Sequence, residues 1–204
     1  NLLYVGTDHG LYISLDKGNT FMQLNNNLPA VAVHDLAIQN RDKEILVGTH
    51  GRSLYIGRIK ELQQLTPEQL SKPLIAYEPD KLRYNPRWGS TGWFTFPEPN
   101  VNLPLYSNNA GKTKITVQTE SGVTLHNFET DVKKGLNYIK YDLTLDEKAL
   151  DEYHKVLNEK RKAEDKPVKL KKADNGKLYL YRGTYKVLVE KGGEKQEMKL
   201  AIEE

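Results

Sequence analysis

Two stretches of the sequence carry the same pattern: Leu3-Tyr4-Val5-Gly6-Thr7 recurs as Ile45-Leu46-Val47-Gly48-Thr49. Each is followed by a second shared stretch, Leu11-Tyr12-Ile13 in the first copy and Leu54-Tyr55-Ile56 in the second. The copies are offset by 42 residues at the first stretch and by 43 at the second. Because apolar, β-branched and aromatic residues dominate and glycine marks the turns, both copies predict a strand, a tight turn and a strand.

A repeat of about 40 to 45 residues is typical of the four-stranded blades of a β-propeller. The pattern predicts strands at 2–6, 10–14 and 20–24 in the first blade, and at 32–38, 44–48 and 53–57 in the second. The first blade then lacks its innermost strand, and the second has no fourth strand before Pro67. In a closed propeller the distant N-terminus often supplies the missing outer strand, which removes exposed edges. We therefore predict an incomplete propeller over residues 1–60.

Residues 14–21 read Ser-Leu-Asp-Lys-Gly-Asn-Thr-Phe and match the Asp-box pattern, Ser-x-Asp-x-Gly-x-Thr-aromatic, at the corner after the predicted strand 10–14. The carboxylate can accept backbone N–H groups, the glycine can adopt a positive φ, and the aromatic ring can pack between sheets. We expect a structural role for its residues: Ser14, Asp16, Gly18, Thr20 and Phe21. A calcium loop is the alternative, but Lys17 stands where oxygen ligands are needed.

Antiparallel strands place the strand 2–3 turns and the blade-to-blade loops on one side of the predicted propeller. Asp8, His9, His50 and Arg52 then lie together with the loop 25–29, and they are the candidate residues of a ligand-binding face. The competing interpretation is that they are ordinary turn residues. The sequence identifies no catalytic residue and no metal site.

The segment 61–104 reads as a linker. Helical spacing from Leu62 to Leu70 predicts a short helical turn, and five prolines with two glycines follow between residues 77 and 104. Trp88 and Trp93 are candidates for an aromatic, sugar-stacking platform. The favoured alternative is that these rings pin the linker onto the neighbouring domains.

Residues 105–204 predict a β-sandwich of roughly 100 residues, because several short alternating strands are separated by turn residues. The predicted strands include 114–119, 136–143, 183–190 and 196–202. One helix is predicted near 145–162. Thr144 and Glu147 have the spacing of a capping box, and the residues expected to face the sandwich are Ala149, Leu150, Tyr153 and Leu157.

Composition narrows the possible functions. The 204 residues include no cysteine, which excludes disulfides, thiolate nucleophiles and cysteine-based zinc sites. The net charge is +3, but lysines are interleaved with acidic residues, so nucleic-acid binding is not expected. No stretch has the apolar length of a membrane span, and no cofactor motif is present. The sequence opens on an apolar run without an initiator methionine, from which we expect more chain upstream.

The ordered motifs resemble the last blades of bacterial sortilin-like, Asp-box (BNR) repeat proteins that are often labelled glycosyl hydrolases. The motifs are Val5-Gly6-Thr7, the Asp-box, His34-Asp35-Leu36-Ala37-Ile38 and Leu46-Val47-Gly48-Thr49-His50-Gly51-Arg52. The second half is similar to the C-terminal immunoglobulin-like (Ig-like) domain of these proteins, which is of the flagellar hook-cap type, and this implies that the sandwich over 105–204 is Ig-like with one inserted helix. The resemblance implies a secreted, periplasmic or cell-surface bacterial protein, in which the rest of the propeller or another chain completes the ring.

Two functions compete at this point. The first is a non-catalytic module for carbohydrate or protein binding, docking or stability, with glycans or envelope proteins as partners. The second is part of a glycoside hydrolase, sialidase-like or other, whose catalytic residues lie mostly in upstream blades. The resemblance transfers no active site, because the arginine cluster and the Tyr–Glu pair of sialidases have no counterpart here.

Overall fold

A computed structural model describes residues 2–24, 28–91, 98–159 and 166–204. Strands make up 48% of it and helices 11%, which confirms a mostly β chain. The chain divides into two compact units, Asn1–Lys72 (unit 1) and Pro73–Glu204 (unit 2). Unit 2 thus begins well before the predicted sandwich boundary at residue 105.

Unit 1 contains two three-stranded antiparallel sheets. Sheet 1 consists of β1 (Leu3–Thr7), β2 (Gly10–Ser14) and β3 (Met22–Leu24), and sheet 2 of β4 (Val33–Gln39), β5 (Glu44–Thr49) and β6 (Ser53–Arg58). All six strands lie within two residues of their predicted positions. In each repeat a threonine hydroxyl closes the tight turn, Thr7 onto the Gly10 carbonyl at 2.9 Å and Thr49 onto the Ser53 carbonyl at 2.6 Å.

Sheets 1 and 2 pack on each other through one face of each. A Cβ atom added to Gly6 would lie 2.7 Å from the Val33 carbonyl oxygen, so only glycine allows this approach. The buried side chains on this face of sheet 1 are Leu11 and Ile13, and those on the facing side of sheet 2 are Ile45 and Val47.

The predicted helical turn after β6 is present. A 3-10 turn spans Leu62–Gln64, and α1 spans Pro67–Leu70, where Thr66 and Gln69 form a capping box. Just before it, the fully buried Glu61 accepts a hydrogen bond from the Arg58 guanidinium at 2.9 Å. This ion pair ties the end of β6 to the turn.

The described part of unit 2 contains eight strands in two sheets. They are β7 (Leu74–Ala76), β8 (Leu82–Arg83), β9 (Val101–Ser107), β10 (Gly111–Thr119), β11 (Thr124–Val132), β12 (Gly135–Tyr141), β13 (Gly183–Lys191) and β14 (Glu194–Glu203). Sheet 3 has the order β12-β9-β7, and sheet 4 has the order β11-β10-β13-β14-β8. One apolar core includes residues of both sheets, among them Leu103, Leu105, Val117, Val187 and Leu200.

The linker prediction for 61–104 is wrong from residue 73 onward, because β7, β8 and the start of β9 lie in that segment. The prolines misled the sequence argument. Pro104 lies inside β9 where pairing with β7 ends, and its carbonyl still accepts the Tyr77 N–H at 3.0 Å. A proline is tolerated there because the ladder loses only the hydrogen bond that a backbone N–H at this position would have donated.

The inserted helix is confirmed, but its predicted cap is not. A 3-10 turn at Glu147–Ala149 leads into α2, Leu150–Glu159; the predicted end at 160–162 lies outside the described residues. Thr144 does not cap it, because its hydroxyl donates to Asp142 at 2.6 Å. The predicted apolar stripe does face the core, with Ala149 and Tyr153 buried and Leu150 and Leu157 half-buried against it.

Candidate functional site

The Asp-box forms a closed polar turn. The Asp16 carboxylate accepts the Thr20 hydroxyl at 2.6 Å, the Thr20 N–H at 2.9 Å and the Ser14 hydroxyl at 2.8 Å. The buried Ser14 oxygen accepts the Gly18 N–H at 2.8 Å, and Gly18 has a φ of +95°. The Thr20 hydroxyl, and then the Thr20 N–H, lower the pKa of Asp16 to about 2. These polar groups form hydrogen bonds with one another within the turn, which argues for a structural role.

The expectation that Phe21 packs between sheets is wrong for this chain, since half of the residue is exposed. Its ring lies beside Gly18, 3.8 Å from where a Cβ atom of that residue would be. No described segment covers the outer side of sheet 1 at this corner, so the ring stays on the surface.

The predicted ligand-binding face carries two exposed turns. Asp8 and His9 lie between β1 and β2, and His50 and Arg52 lie between β5 and β6. His50 stacks on His34 with ring centroids 5.1 Å apart. The side chains of Asp8 and Arg52 form no hydrogen bond or ion pair with any described residue. Nothing in this geometry builds a site from the four residues, and Asn25–Asn27 of the same predicted face lie outside the described residues.

The two repeats bury opposite faces, and this feature was not expected from the sequence. Leu11 and Ile13 of β2 are each 1% exposed, whereas their counterparts in β6, Leu54 and Ile56, are 70% and 67% exposed. The other face shows the reverse. Ile45 and Val47 of β5 are 1% and 3% exposed, and their counterparts in β1, Leu3 and Val5, are 43% and 38% exposed.

Among its described residues, unit 1 therefore has two exposed apolar faces. We call the Leu3/Val5 face of sheet 1 the leading face and the Leu54/Ile56 face of sheet 2 the trailing face. The contact between sheets 1 and 2, the internal junction, already pairs two faces of these kinds. Sheet 1 contributes Leu11 and Ile13, the counterparts of the trailing face, and sheet 2 contributes Ile45 and Val47, the counterparts of the leading face. Gly48, the counterpart of Gly6, would carry a Cβ atom with only its own sheet in contact, Asp35 at 3.5 Å and Leu54 at 3.7 Å. The two free faces are thus equivalent to the two halves of an existing contact.

Unit 2 contains a separate groove of about 440 Å³. It lies between β11 and β12, the outermost strands of sheets 4 and 3, and is lined by Glu98, Pro99, Asn100, His126, Phe128, Lys140, Tyr141 and Asp142. Three of these rings lie close together, and Tyr141 is nearly parallel to the other two. The centroids of His126 and Phe128 are 5.6 Å apart, and each is 5.9 Å from that of Tyr141.

Ionic contacts fix the polar groups of this groove. Lys177 donates to Glu98 at 2.8 Å and to Asp142 at 3.2 Å, and it lowers the pKa of the Glu98 carboxyl. Burial raises the pKa of Asp142, but the Thr144 hydroxyl and Lys177 outweigh it, so the net shift is downward. His126 Nδ1 lies 2.7 Å from the Asp146 carboxylate, which holds the imidazole in place.

The proposed aromatic platform is only partly described. Trp88 is half-buried and packs edge-on against Tyr84 at 5.3 Å and Tyr179 at 6.2 Å, as expected of a ring that pins its segment. Trp93 lies outside the described residues. The segment is also held by Asp174, whose carboxylate accepts from the Ser90 hydroxyl at 3.0 Å and the Thr91 N–H at 2.9 Å.

Comparison with known proteins returns nothing similar: no protein-family model, no curated protein and no solved structure matches this chain. Within the described ranges, no helix has the length and apolar character required to cross a bilayer. In the same ranges no group of three or more His, Asp or Glu side chains is arranged to hold a metal ion. The functional argument therefore depends on the chain's own residues.

Sequence reasoning missed the groove and both free apolar faces. The groove combines residues from β11, β12 and the segment before β9, which are far apart in the sequence. The free faces did have a signal. Leu3-Tyr4-Val5 and Leu54-Tyr55-Ile56 are continuous apolar runs, and such runs are typical of strands that are buried on both faces.

Proposed function

We propose that this chain is a non-catalytic docking and binding module: unit 1 supplies two adjoining blades of an Asp-box β-propeller, and unit 2 is an Ig-like sandwich that accompanies them. The proposal depends on one observation, that the two repeats bury opposite faces. A face that is buried in one copy is exposed in the other, as at the two ends of a series of stacked sheets.

The physical case is the cost of leaving these faces in water. Burying an aliphatic side chain stabilises a protein by about 1.5 to 3 kcal/mol. Leu54 and Ile56 forgo most of this gain, and Leu3 and Val5 forgo part of it. Contiguous exposed apolar patches are typical of interaction surfaces. A further sheet of the same repeat on each free face, from the rest of the ring or from another chain, would bury them as the internal junction buries Leu11 and Ile13.

Catalysis by this chain is not part of the proposal. A glycosidase uses two carboxyl groups, one of which must keep its proton at the working pH. Glu98 and Asp142 are the acidic residues of the groove. Lys177 lowers the pKa of Glu98, and the Thr144 hydroxyl together with Lys177 lowers the pKa of Asp142 against the effect of burial, so both carboxyls favour the ionised form. A secreted, periplasmic or cell-surface location is proposed on the resemblance to Asp-box proteins alone.

A tandem duplication tests the docking role. A second copy of residues 1–42 is fused ahead of Asn1, so that the repeat spacing of 42 residues is kept, the copied β4 supplies a fourth strand beside β1 and the copied sheet 1 covers the leading face. The chain has no cysteine, so Val5→Cys in the original repeat introduces a unique thiol. We expect maleimide to label this thiol about ten-fold or more slowly in the tandem chain than in the single chain.

Leu54→Cys is the matched control, because the trailing face stays uncovered in both chains. Its labelling rate should not change. Equal labelling of Val5→Cys in both chains, with the duplicated strands folded by circular dichroism, would refute the stacking on which the proposed function depends.

A further inference from the structure

The groove of unit 2 lies where the two sheets of the unit open. β11 and β12 are edge strands of different sheets, so no backbone ladder joins them. Their side chains line the opening instead. Its volume of about 440 Å³ falls within the range of about 300 to 1,000 Å³ that is typical of small-molecule sites.

Aromatic rings line one side of this groove. The buried Tyr141 lies behind the groove surface, and its hydroxyl donates to the Thr144 carbonyl at 2.6 Å, so its ring backs the other two rings. Phe128 is half-buried and carries no polar atom. Together with His126 they form an apolar surface with fixed orientation, because each ring packs against the other two.

Polar groups of both signs surround these rings. Glu98 and Asp142 are carboxylates held in position by Lys177, and each carboxylate has lone pairs to accept further hydrogen bonds. Lys140 and Asn100 are exposed at the groove and supply N–H donors. Glu98, Asp142 and Asp146 are offset by Lys140, Lys177 and Lys148, so the groove favours neither an anion nor a cation.

We propose that this groove binds a neutral saccharide, with a pyranose ring stacked on Phe128 and its hydroxyl groups bonded to the side chains of Asn100, Lys140 and Asp142. A pyranose whose hydroxyls are all equatorial presents a C–H face that suits an aromatic ring, while its edge carries donors and acceptors together. The exposed rim residues leave the groove open to solvent, so it admits an internal stretch of a saccharide chain. The inference goes beyond the proposed function, because it concerns unit 2 alone.

The test uses the full chain labelled with ¹⁵N and three hexasaccharides, the β-1,4-linked oligomers of glucose, of xylose and of N-acetylglucosamine. We expect at least one of them to bind in calorimetry at millimolar concentration. The amide signals that shift should be those of Asn100, Phe128 and Lys140. Phe128→Leu keeps an apolar side chain but removes the ring, and it should weaken binding about five- to ten-fold.

Two further variants complete the test. Asn100→Ala changes an exposed residue and should weaken binding without altering the fold. Phe21→Ala removes an exposed ring in unit 1 and should leave the affinity unchanged. No binding by any of the three oligomers would overturn the inference, as would shifts confined to the Asp8–His9 turn or an unchanged affinity of folded Phe128→Leu. None of these outcomes affects the thiol labelling of sheet 1, so the two proposals fail separately.

Discussion

Unit 1 and unit 2 are both built from antiparallel strands, yet they bury their apolar side chains differently. Among the described residues, seven large apolar side chains are exposed in unit 1 and one, Tyr138, in unit 2. The seven are Leu3, Val5, Phe21, Met22, Ile38, Leu54 and Ile56. In unit 2 the strands alternate, as in β14, where the buried Met198, Leu200 and Ile202 are flanked by the exposed Glu197, Lys199 and Glu203 and the half-buried Ala201.

The difference shows what each sheet requires from its neighbours. An alternating strand has one apolar face, so two such sheets cover each other and leave polar faces to water. β1, β2, β5 and β6 have apolar residues on both faces, so each sheet of unit 1 requires two neighbours and has one. Unit 2 closes on itself, whereas unit 1 ends in faces of a kind that its own junction buries.

The largest expected effect comes from the same substitution made at equivalent positions of the two repeats. Leu11→Ala removes a fully buried side chain and should lower the free energy of unfolding of unit 1 by about 2 to 5 kcal/mol. Leu54→Ala occupies the matching position in sheet 2 but is exposed, so the change should stay within about 0.5 kcal/mol. Denaturant unfolding of each variant, followed by amide signals of unit 1, measures both values.

These two variants can also contradict the comparison between an open unit 1 and a closed unit 2. A large loss of stability from Leu54→Ala in the isolated chain would mean that the trailing face is covered in solution. Sedimentation at two protein concentrations separates covering by a second copy, which depends on concentration, from covering within one chain. Either result would remove the distinction between an open unit 1 and a closed unit 2.

The strands of unit 1 were predictable because their signals are local. The repeat, the glycine turns and the Asp-box each lie within a few residues, and the structure has all six strands near the predicted positions. The same residues did not predict which face of each sheet is buried. Leu11 and Leu54 are the same residue type in the same motif, and which of them is buried depends on which sheets are adjacent.

Unit 2 was less predictable where its contacts are distant in sequence. Prolines favoured a linker at 73–104, but β14 pairs with β8 and β9 pairs with β7, and neither contact has a local signal. Thr144 has the spacing of a helix cap, yet Asp142 competes for its hydroxyl from two residues away. The groove combines β11, β12 and residues 98–100, so a reading of individual motifs could not find it.

A smaller effect on the stability of unit 1 is expected from protonation of Asp16 in the Asp-box turn. Hydrogen bonds from the Thr20 hydroxyl, the Thr20 N–H and the Ser14 hydroxyl lower the pKa of Asp16 from 3.8 to about 2. A carboxyl whose pKa is lower in the folded state stabilises the fold above its unfolded pKa. This contribution should therefore disappear as the pH falls from about 4 to about 2.

Thermal unfolding of unit 1 at a series of pH values between 7 and 2 measures this loss. Asp16→Asn keeps an oxygen acceptor but does not titrate, so its melting temperature should vary less over the same interval. Asp8→Asn is the matched control, since the Asp8 side chain makes no hydrogen bond with a described residue. If Asp16→Asn follows the same pH profile as the unaltered chain, the turn is not held by the ionised carboxylate.

The smallest effect on stability is expected at the turn Asp142–Thr144 of unit 2, which resembles the Asp16–Thr20 turn. Asp142 also accepts a threonine hydroxyl at 2.6 Å, from Thr144, but there Lys177 adds a second contact that it shares with Glu98. These groups are partly exposed, so Lys177→Met should change the free energy of unfolding by no more than about 1 kcal/mol. The pKa values of both carboxyls should rise, as measured by ¹³C carboxyl titration.

The rise should be larger for Glu98, because the bond from Lys177 is the largest cause of its lowered pKa, whereas Asp142 keeps the hydrogen bond from Thr144. Lys172→Met removes another surface pair of unit 2, with Glu147 at 2.9 Å, and should shift neither carboxyl. An equal rise at Glu98 and Asp142 would mean that the Thr144 hydroxyl does little to hold the carboxylate. The likeness between this turn and the Asp16–Thr20 turn of the open unit would then be one of geometry alone.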